Sequence, residues 1–280
     1  MPRTWLVTGS SRGFGRALCE RILEAGDNLL ATARDLGQLA SFVGSRPDQL
    51  AIARLDVTSE VDARAAVEAA IDRFGALDVL VNNAGYGDVG SVEDTTIDSF
   101  RRQIETNLFG TIILTKAAIP HMRARGSGHI IQFSSVGGRL GAPGRAPYSA
   151  AKWGVEGFSE VLAQEMRLIG VKVTIIEPGG FRTDFAGAST TLDAGRPEYD
   201  EVVGKTARMQ RAYSGRQPGD PRRGAQAILD VVAATDPPLR LALGSDAVAA
   251  IERSDRARLD ELTRWRSLSI STDYPASPDG

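Results

Sequence analysis

The chain has 280 residues, 42% hydrophobic and 24% charged, with 33 basic and 35 acidic side chains giving a formal net charge of -2. A single domain of this length can bury about 75% of its unfolded surface, and so even a charge balance gives no electrostatic support to generic nucleic-acid binding. The one cysteine, Cys19, excludes an intrachain disulfide, no apolar run approaches the ~18 residues of a membrane span, and two isolated histidines form no zinc-ligand cluster, so no metal is expected. With no basic, apolar, cleavable leader ahead of the first strand, the expected setting is cytoplasmic.

Trp5-Leu6-Val7 reads as a short buried strand running into Thr8-Gly9-Ser10-Ser11-Arg12-Gly13-Phe14-Gly15 and then a helix beginning at Arg16. A glycine-rich turn between strand and helix lets backbone approach a diphosphate, whose charge the open N–H groups and the positive end of the helix stabilise. Gly9 would permit the tight turn, Gly13 the close approach and Gly15 the packing of helix on strand. The alternative is a tight turn without ligand. Cys19 lies among apolar positions of this helix and reads as core packing.

Further strands are expected near 28–33, 51–55, 78–82, 129–134, 171–176 and 239–243, with helical patterns between most of them. Near-continuous apolar strands alternating with amphipathic helices predict an α/β fold: a Rossmann-like, doubly wound parallel sheet of about seven strands with helices on both faces. Ligand should then bind at the carboxyl ends of the strands, where Arg34-Asp35, Asp56-Val57, Asn82-Asn83-Ala84-Gly85, Ser134-Ser135 and Pro178-Gly179 fall.

A helix expected from Ile97 to about Arg123 carries Asn107 in its middle, a mediocre residue there. It reads either as an exposed or helix-bonded side chain or as the mark of a local distortion aiming carbonyls at an ordered water. His121 at the end of this helix and His129 before a strand read as surface residues. Gly137 to Pro143 would form one pocket wall, with Arg139 either holding an acidic substrate group or reading as a solvated or interface arginine. Phe185 to Pro218 is too long for a plain connection and reads as a substrate lid, with a weak helix around Glu198 to Arg211. Gly244-Ser245-Asp246 supplies an N-cap for a helix from Ala247 to Leu268, and Ser271 to Gly280 reads as a disordered tail. The whole of 1–280 is thus one domain, with a lid at about 185–218 and a C-terminal helix and tail at 246–280.

Tyr148 and Lys152 stand four apart in Tyr148-Ser149-Ala150-Ala151-Lys152 and on a helix share a face. A phenol titrates near pH ~10, and a neighbouring ammonium draws that value down toward the working range, which makes a usable acid–base group.

The ordered set of Gly9, Gly13 and Gly15, Asn82-Asn83-Ala84-Gly85, Asn107, Ser135, Tyr148, Lys152 and Pro178-Gly179 resembles the short-chain dehydrogenase/reductase family in its non-extended branch, over about residues 4 to 245. The resemblance implies that Tyr148 is the general acid for carbonyl reduction and the base for alcohol oxidation. Lys152 would lower its pKa and hold the nicotinamide ribose. Ser135, thirteen residues before the tyrosine, would bond the substrate oxygen, and Asn107 would anchor a water joining Lys152 to a proton relay. For the cofactor it implies a binding surface of Gly9, Ser11, Arg12, Gly13, Phe14, Gly15, Arg34, Asp56, Val57, Asn83, Gly85, Tyr148, Lys152, Pro178, Gly179, Phe181 and Thr183. Asp56 and Val57 would meet the adenine, Asn83 and Gly85 the ribose side, and Phe181 and Thr183 the carboxamide. Where NAD-preferring members end the second strand in an acidic residue this chain has Ala33, then Arg34. Arg12 and Arg34 could clamp a 2′-phosphate, so NADP(H) is expected over NAD(H), unless both are plain surface charges and Asp35 holds the ribose. The expected substrate is a small-molecule ketone or secondary alcohol and the expected assembly a homodimer or homotetramer. A non-catalytic NADP(H)-sensing protein on the same fold is the alternative.

Overall fold

The computed structural model describes residues 2–42, 46–186, 190–193 and 195–274. Its strands are β1 (Thr4–Val7), β2 (Asn28–Ala33), β3 (Leu50–Arg54), β4 (Val79–Asn82), β5 (Gly128–Phe133), β6 (Val171–Pro178) and β7 (Arg240–Leu243). They pair in parallel as one sheet in the order β3-β2-β1-β4-β5-β6-β7. The helices are α1 (Gly13–Glu24), α2 (Glu60–Phe74), α3 (Ile97–Ile104), α4 (Gly110–Arg125), α5 (Ala146–Arg167), α6 (Lys205–Tyr213), α7 (Pro221–Ala233) and α8 (Ser245–Ile270).

Because successive strand residues point to opposite faces, an all-apolar strand feeds two cores at once. Trp5, Val7, Leu29, Ala31, Val79, Val81 and Ile131 pack with Leu18 and Ile22 of α1 and Ile228 of α7. Leu6, Leu30, Leu80 and Ile130 pack on the other side with Ala63 and Ala66 of α2, Leu114 and Met122 of α4 and Leu162 of α5. The doubly wound parallel sheet read from the sequence is therefore the one observed. Cys19 lies in the first core, and burial pushes its thiol up to about 12. No helix among the described residues is long and apolar enough to cross a membrane.

Four local expectations are corrected. The helix foreseen over 97–123 is interrupted by a π turn, Glu105–Phe109, between α3 and α4. His129 is buried inside β5, with Nε2 3.0 Å from Thr174 Oγ1, and burial holds its pKa down at about 4. The strand begins one residue before it, so its side chain enters the sheet face. His121 accepts the Leu77 N–H at Nε2 over 3.1 Å, a bond between distant segments that local sequence does not display. At α8 the cap is Gly244, with φ 101° and no side-chain cap bond, because the Asp246 carboxylate is drawn away to the Gly180 N–H at 2.7 Å. Residues 275–280 of the expected tail lie outside the described residues, as do 187–189 and 194 of the expected lid.

Ile130 is fully buried between β4, β6 and the helices of the second core. Ile130→Ala should lower the unfolding free energy by about 2–5 kcal/mol, through lost burial and an unfilled cavity. A loss below about 1 kcal/mol in urea titration would mean that this core is not packed as described.

Candidate active site

The sheet order reverses between β1 and β4, so their carboxyl ends diverge and leave a crevice. Thr8 closes the end of β1. Its hydroxyl accepts the N–H groups of Asn83 and Ala84, both at 2.9 Å. Asn83 Nδ2 returns a bond of 2.8 Å to the Thr8 carbonyl. The glycine turn is fitted into this stitching. Gly9 has φ 66° and Gly13 φ 57°, a region that favours glycine. A β-carbon on Gly15 would stand 2.5 Å from Asn83 Nδ2 and closer still to the Gly9 carbonyl oxygen. Helix α1 starts at once, with no side-chain cap and no acidic residue in its first turn, so its N-terminal N–H groups face the cleft without a competing carboxylate.

The cleft encloses about 1430 Å³. Every residue expected at the cofactor lines it: Gly9, Ser11, Arg12, Gly13, Phe14, Gly15, Arg34, Asp56, Val57, Asn83, Gly85, Tyr148, Lys152, Pro178, Gly179, Phe181 and Thr183. Phe14 is fixed edge-on between Phe133 and Phe181, with centroids 5.1 Å away in each case. Arg12 and Arg34 line the cleft, and neither forms an ion pair among the described residues. Asp35 is not part of the lining; its Oδ1 accepts the Gly37 N–H at 2.9 Å. The glycine cradle and open helix end fit a dinucleotide diphosphate.

Ser135, Tyr148 and Lys152 converge at the opposite end. Tyr148 and Lys152 share the buried face of α5, as their spacing predicts. Lys152 Nζ donates to the Phe133 carbonyl at 2.6 Å and lies 5.8 Å from the Tyr148 ring centroid. The Ser135 hydroxyl accepts the Gly137 N–H at 3.0 Å and stands near the Tyr148 phenol, whose pKa it helps to lower. The expected fall in the phenol's pKa is reversed in direction: burial pushes it up, more than the nearby Ser135 hydroxyl and Arg145 guanidinium pull it down. Removing a charge from water outweighs nearby cations here. Burial also lowers Lys152 from 10.5 to about 8, against the pull of Glu156 one turn on.

Asn107 is buried in the π turn and is not in the cleft wall. Its Nδ2 donates to the carbonyls of Tyr86 at 2.8 Å and Gln103 at 2.9 Å, and its Oδ1 accepts the Tyr86 N–H at 3.0 Å. The side chain thereby ties the loop after β4 to the helix. A β-carbon on Gly85 would meet Asn107 Oδ1 at 2.5 Å and Lys152 Nζ at 3.7 Å, so glycine is what lets this loop lie against both.

The wall expected from residues 137–143 is absent from the cleft. Arg139 is turned away to pair with Glu177 at 2.9 Å and Asp255 of α8 at 2.6 Å, so it holds no substrate group. The wall is made instead by Tyr86, Asp88, Arg145, Phe185 and, from α6, Met209, Gln210 and Tyr213. Phe185 packs on Tyr148, centroids 5.5 Å apart. Arg145 was not singled out by the sequence; it is the residue just before α5, and its guanidinium lies 5.9 Å from the Tyr148 ring centroid. Among the described residues no His, Cys, Asp and Glu group could hold a metal ion.

Sheet order, switch-point cleft and glycine turn define a doubly wound α/β protein of the Rossmann type. A family profile described as short chain dehydrogenase matches residues 3–193. An oxidoreductase, BOA17, of Botryotinia fuckeliana is 42% identical over 273 residues, covering 97% of this chain and 100% of the relative. A 3-ketodihydrosphingosine reductase of Bacteroides thetaiotaomicron is 34% identical over 249 residues, 87% of this chain and 88% of the relative. The crystal structure of a short-chain dehydrogenase from Streptomyces avermitilis superposes with a TM-score of 0.92 at 41% identity, covering 98% of this chain and 100% of that one. The chain belongs to the short-chain dehydrogenase/reductase family of oxidoreductases, whose members bind a nicotinamide cofactor and act on small molecules.

Between about pH 8 and 10.5 unfolded Lys152 carries a proton that the folded residue has released, so stability rises with pH through this window. Relative to Lys152→Met, the wild type should gain about 1–2 kcal/mol of unfolding free energy from pH ~8 to ~10. A difference that stays constant over that range in denaturant titrations would contradict a depressed lysine.

Proposed function

We propose that this chain is an NADP(H)-dependent oxidoreductase interconverting a ketone and a secondary alcohol, with Tyr148 as general acid–base. The observation that carries this reading is the meeting of Ser135, Tyr148 and Lys152 in the wall of the cleft that the glycine turn also lines, with Tyr148 and Lys152 on one buried helix face. When bound, the nicotinamide supplies or accepts the hydride. In the reducing direction Tyr148 gives its hydroxyl proton to the carbonyl oxygen. Burial suits that role, because it keeps the phenol protonated at neutral pH. Ser135 holds the same oxygen and, with Tyr148, stabilises the charge developing on it. Lys152 places its charge beside the phenol and holds the nicotinamide ribose. Asn107 fixes the loop that carries Gly85 against Lys152, and a water on its π turn would complete the proton relay.

NADP(H) is favoured by the two unpaired arginines, Arg12 and Arg34, on the cleft wall and by the removal of Asp35 from it. Residues 185–218 act as the lid of a single domain and exclude water when α6 closes over substrate. The Bacteroides relative is named as a ketone reductase, in keeping with carbonyl chemistry. Half-exposed Phe109 and Trp153, on the helices that carry Asn107 and Tyr148, suit a homodimer or homotetramer face, and the buried lone thiol suits the cytoplasm. No observation favours the non-catalytic sensor.

The test follows absorbance of the reduced cofactor with a panel of ketones, aldehydes and quinones. Wild type should oxidise NADPH, and Tyr148→Phe should lose at least ~100-fold in kcat while still binding NADPH. Most of the activity surviving in the variant would sink the assignment. Arg34→Glu should weaken NADPH binding by about tenfold or more and leave NADH binding little changed. Equal effects on the two would remove the phosphate clamp.

A further inference from the structure

Arg145 sets its guanidinium against the Tyr148 ring, with Cζ 5.9 Å from the centroid. Nη1 donates to the Gly87 carbonyl at 2.8 Å and Nη2 donates to the Gln210 side-chain carbonyl on α6. Both acceptors are neutral. Several other half-buried arginines are compensated: Arg139 pairs with Glu177 and Asp255, Arg240 with Glu156 and Glu160, and Arg16 with Glu20. Unlike these, Arg145, in the cleft wall, has no ion pair among the described residues. Asp88, whose charge acts on it, uses Oδ1 to hold the Thr191 N–H at 2.8 Å. A guanidinium has five N–H donors in a planar fork, so two bonds to neutral acceptors leave donors for an anion. A desolvated cation without a counter-ion is costly, and burial here opposes its charge. It stands in the wall of the cleft beside the phenol.

We propose that Arg145 receives a carboxylate of the substrate, so that the site selects oxo acids, and the corresponding hydroxy acids in reverse, over neutral ketones. This rests on the reading of Tyr148 as proton donor to the carbonyl. The substrate is then held at two points: its carbonyl oxygen at Ser135 and Tyr148, its carboxylate at Arg145 a few carbons away. The carboxylate is unchanged in the reaction. The carbonyl carbon gains the hydride of NADPH, its oxygen gains the Tyr148 proton, and an alcohol and NADP+ result. Gln210 joins the same guanidinium to α6, so the anion site is tied to the proposed lid.

The experiment measures kcat/KM with NADPH for levulinate and its longer methyl-ketone homologues, each against its methyl ester, in wild type, Arg145→Gln and Arg145→Lys. In the wild type the acid of fitting length should be favoured over its ester by about tenfold or more. Arg145→Gln should collapse that ratio toward one and Arg145→Lys should keep part of it. A purely structural arginine would change acid and ester alike. A wild-type ratio near one for every chain length, or a ratio preserved in Arg145→Gln, overturns the proposal. Should that variant not fold, the wild-type and Arg145→Lys ratios decide.

Fluorescence of bound NADPH separates this inference from the reading beneath it. Saturable binding of the acid but not the ester, lost in Arg145→Gln, upholds the carboxylate site even if no ketone is turned over and the reductase reading falls. Turnover with equal binding of acid and ester overturns the carboxylate site and leaves the reductase reading standing.

Discussion

The burial of a phenol and an ammonium on one face of α5, against the carboxyl edge of the sheet, is the constraint on which the site depends. Lys152 is held by the last carbonyl of β5, so its position is set by strand backbone rather than by a mobile loop. Tyr148 is desolvated by the same packing and stands near Ser135 at the start of the next turn. Both pKa shifts have one cause, exclusion of water, and both favour neutral forms. On the proposed reading of Tyr148 as proton donor, that environment serves an acid that must stay protonated until hydride arrives.

Charge compensation then divides the molecule. Below the site, Glu156 and Glu177 are buried and share Arg240, at 3.0 and 3.4 Å, while Arg139 ties Glu177 to Asp255 on α8. Burial pushes Glu156 up despite these partners. This network locks the helix carrying Tyr148 to β6, β7 and the C-terminal helix. On the cleft side the pattern is the opposite: Arg12, Arg34 and Arg145 are lined up without carboxylate partners. On the proposed reading these cleft cations meet anionic groups, at the glycine turn and beside the phenol.

Much of this was legible in the sequence because it is written in local pattern. The seven strands follow from apolar runs, the turn from Gly9, Gly13 and Gly15, and the shared helix face from the spacing of Tyr148 and Lys152. What escaped depends on partners far along the chain. Arg139 looked available until Glu177 and Asp255 were brought to it across 38 and 116 residues. His129 looked external because its place one residue inside β5 decides its burial. Arg145 gave no signal, since its meaning comes from Gly87 and from Gln210 on a different element. The π turn at Asn107 was foreseen only as one of two options, because the bonds to Tyr86 that require it are also nonlocal.

Protonation of Tyr148 is the most direct point of test. Carbon-13 labelling of the tyrosine ring, with Tyr148→Phe to assign the signal, lets this phenol be titrated by NMR in the free protein and in its NADPH complex. A phenol that stays protonated past the ordinary value of about 10 is expected of a buried donor. A Tyr148 signal that titrates between about pH 7 and 8 in both states would contradict it and would mean that the nearby cations, not burial, govern the site.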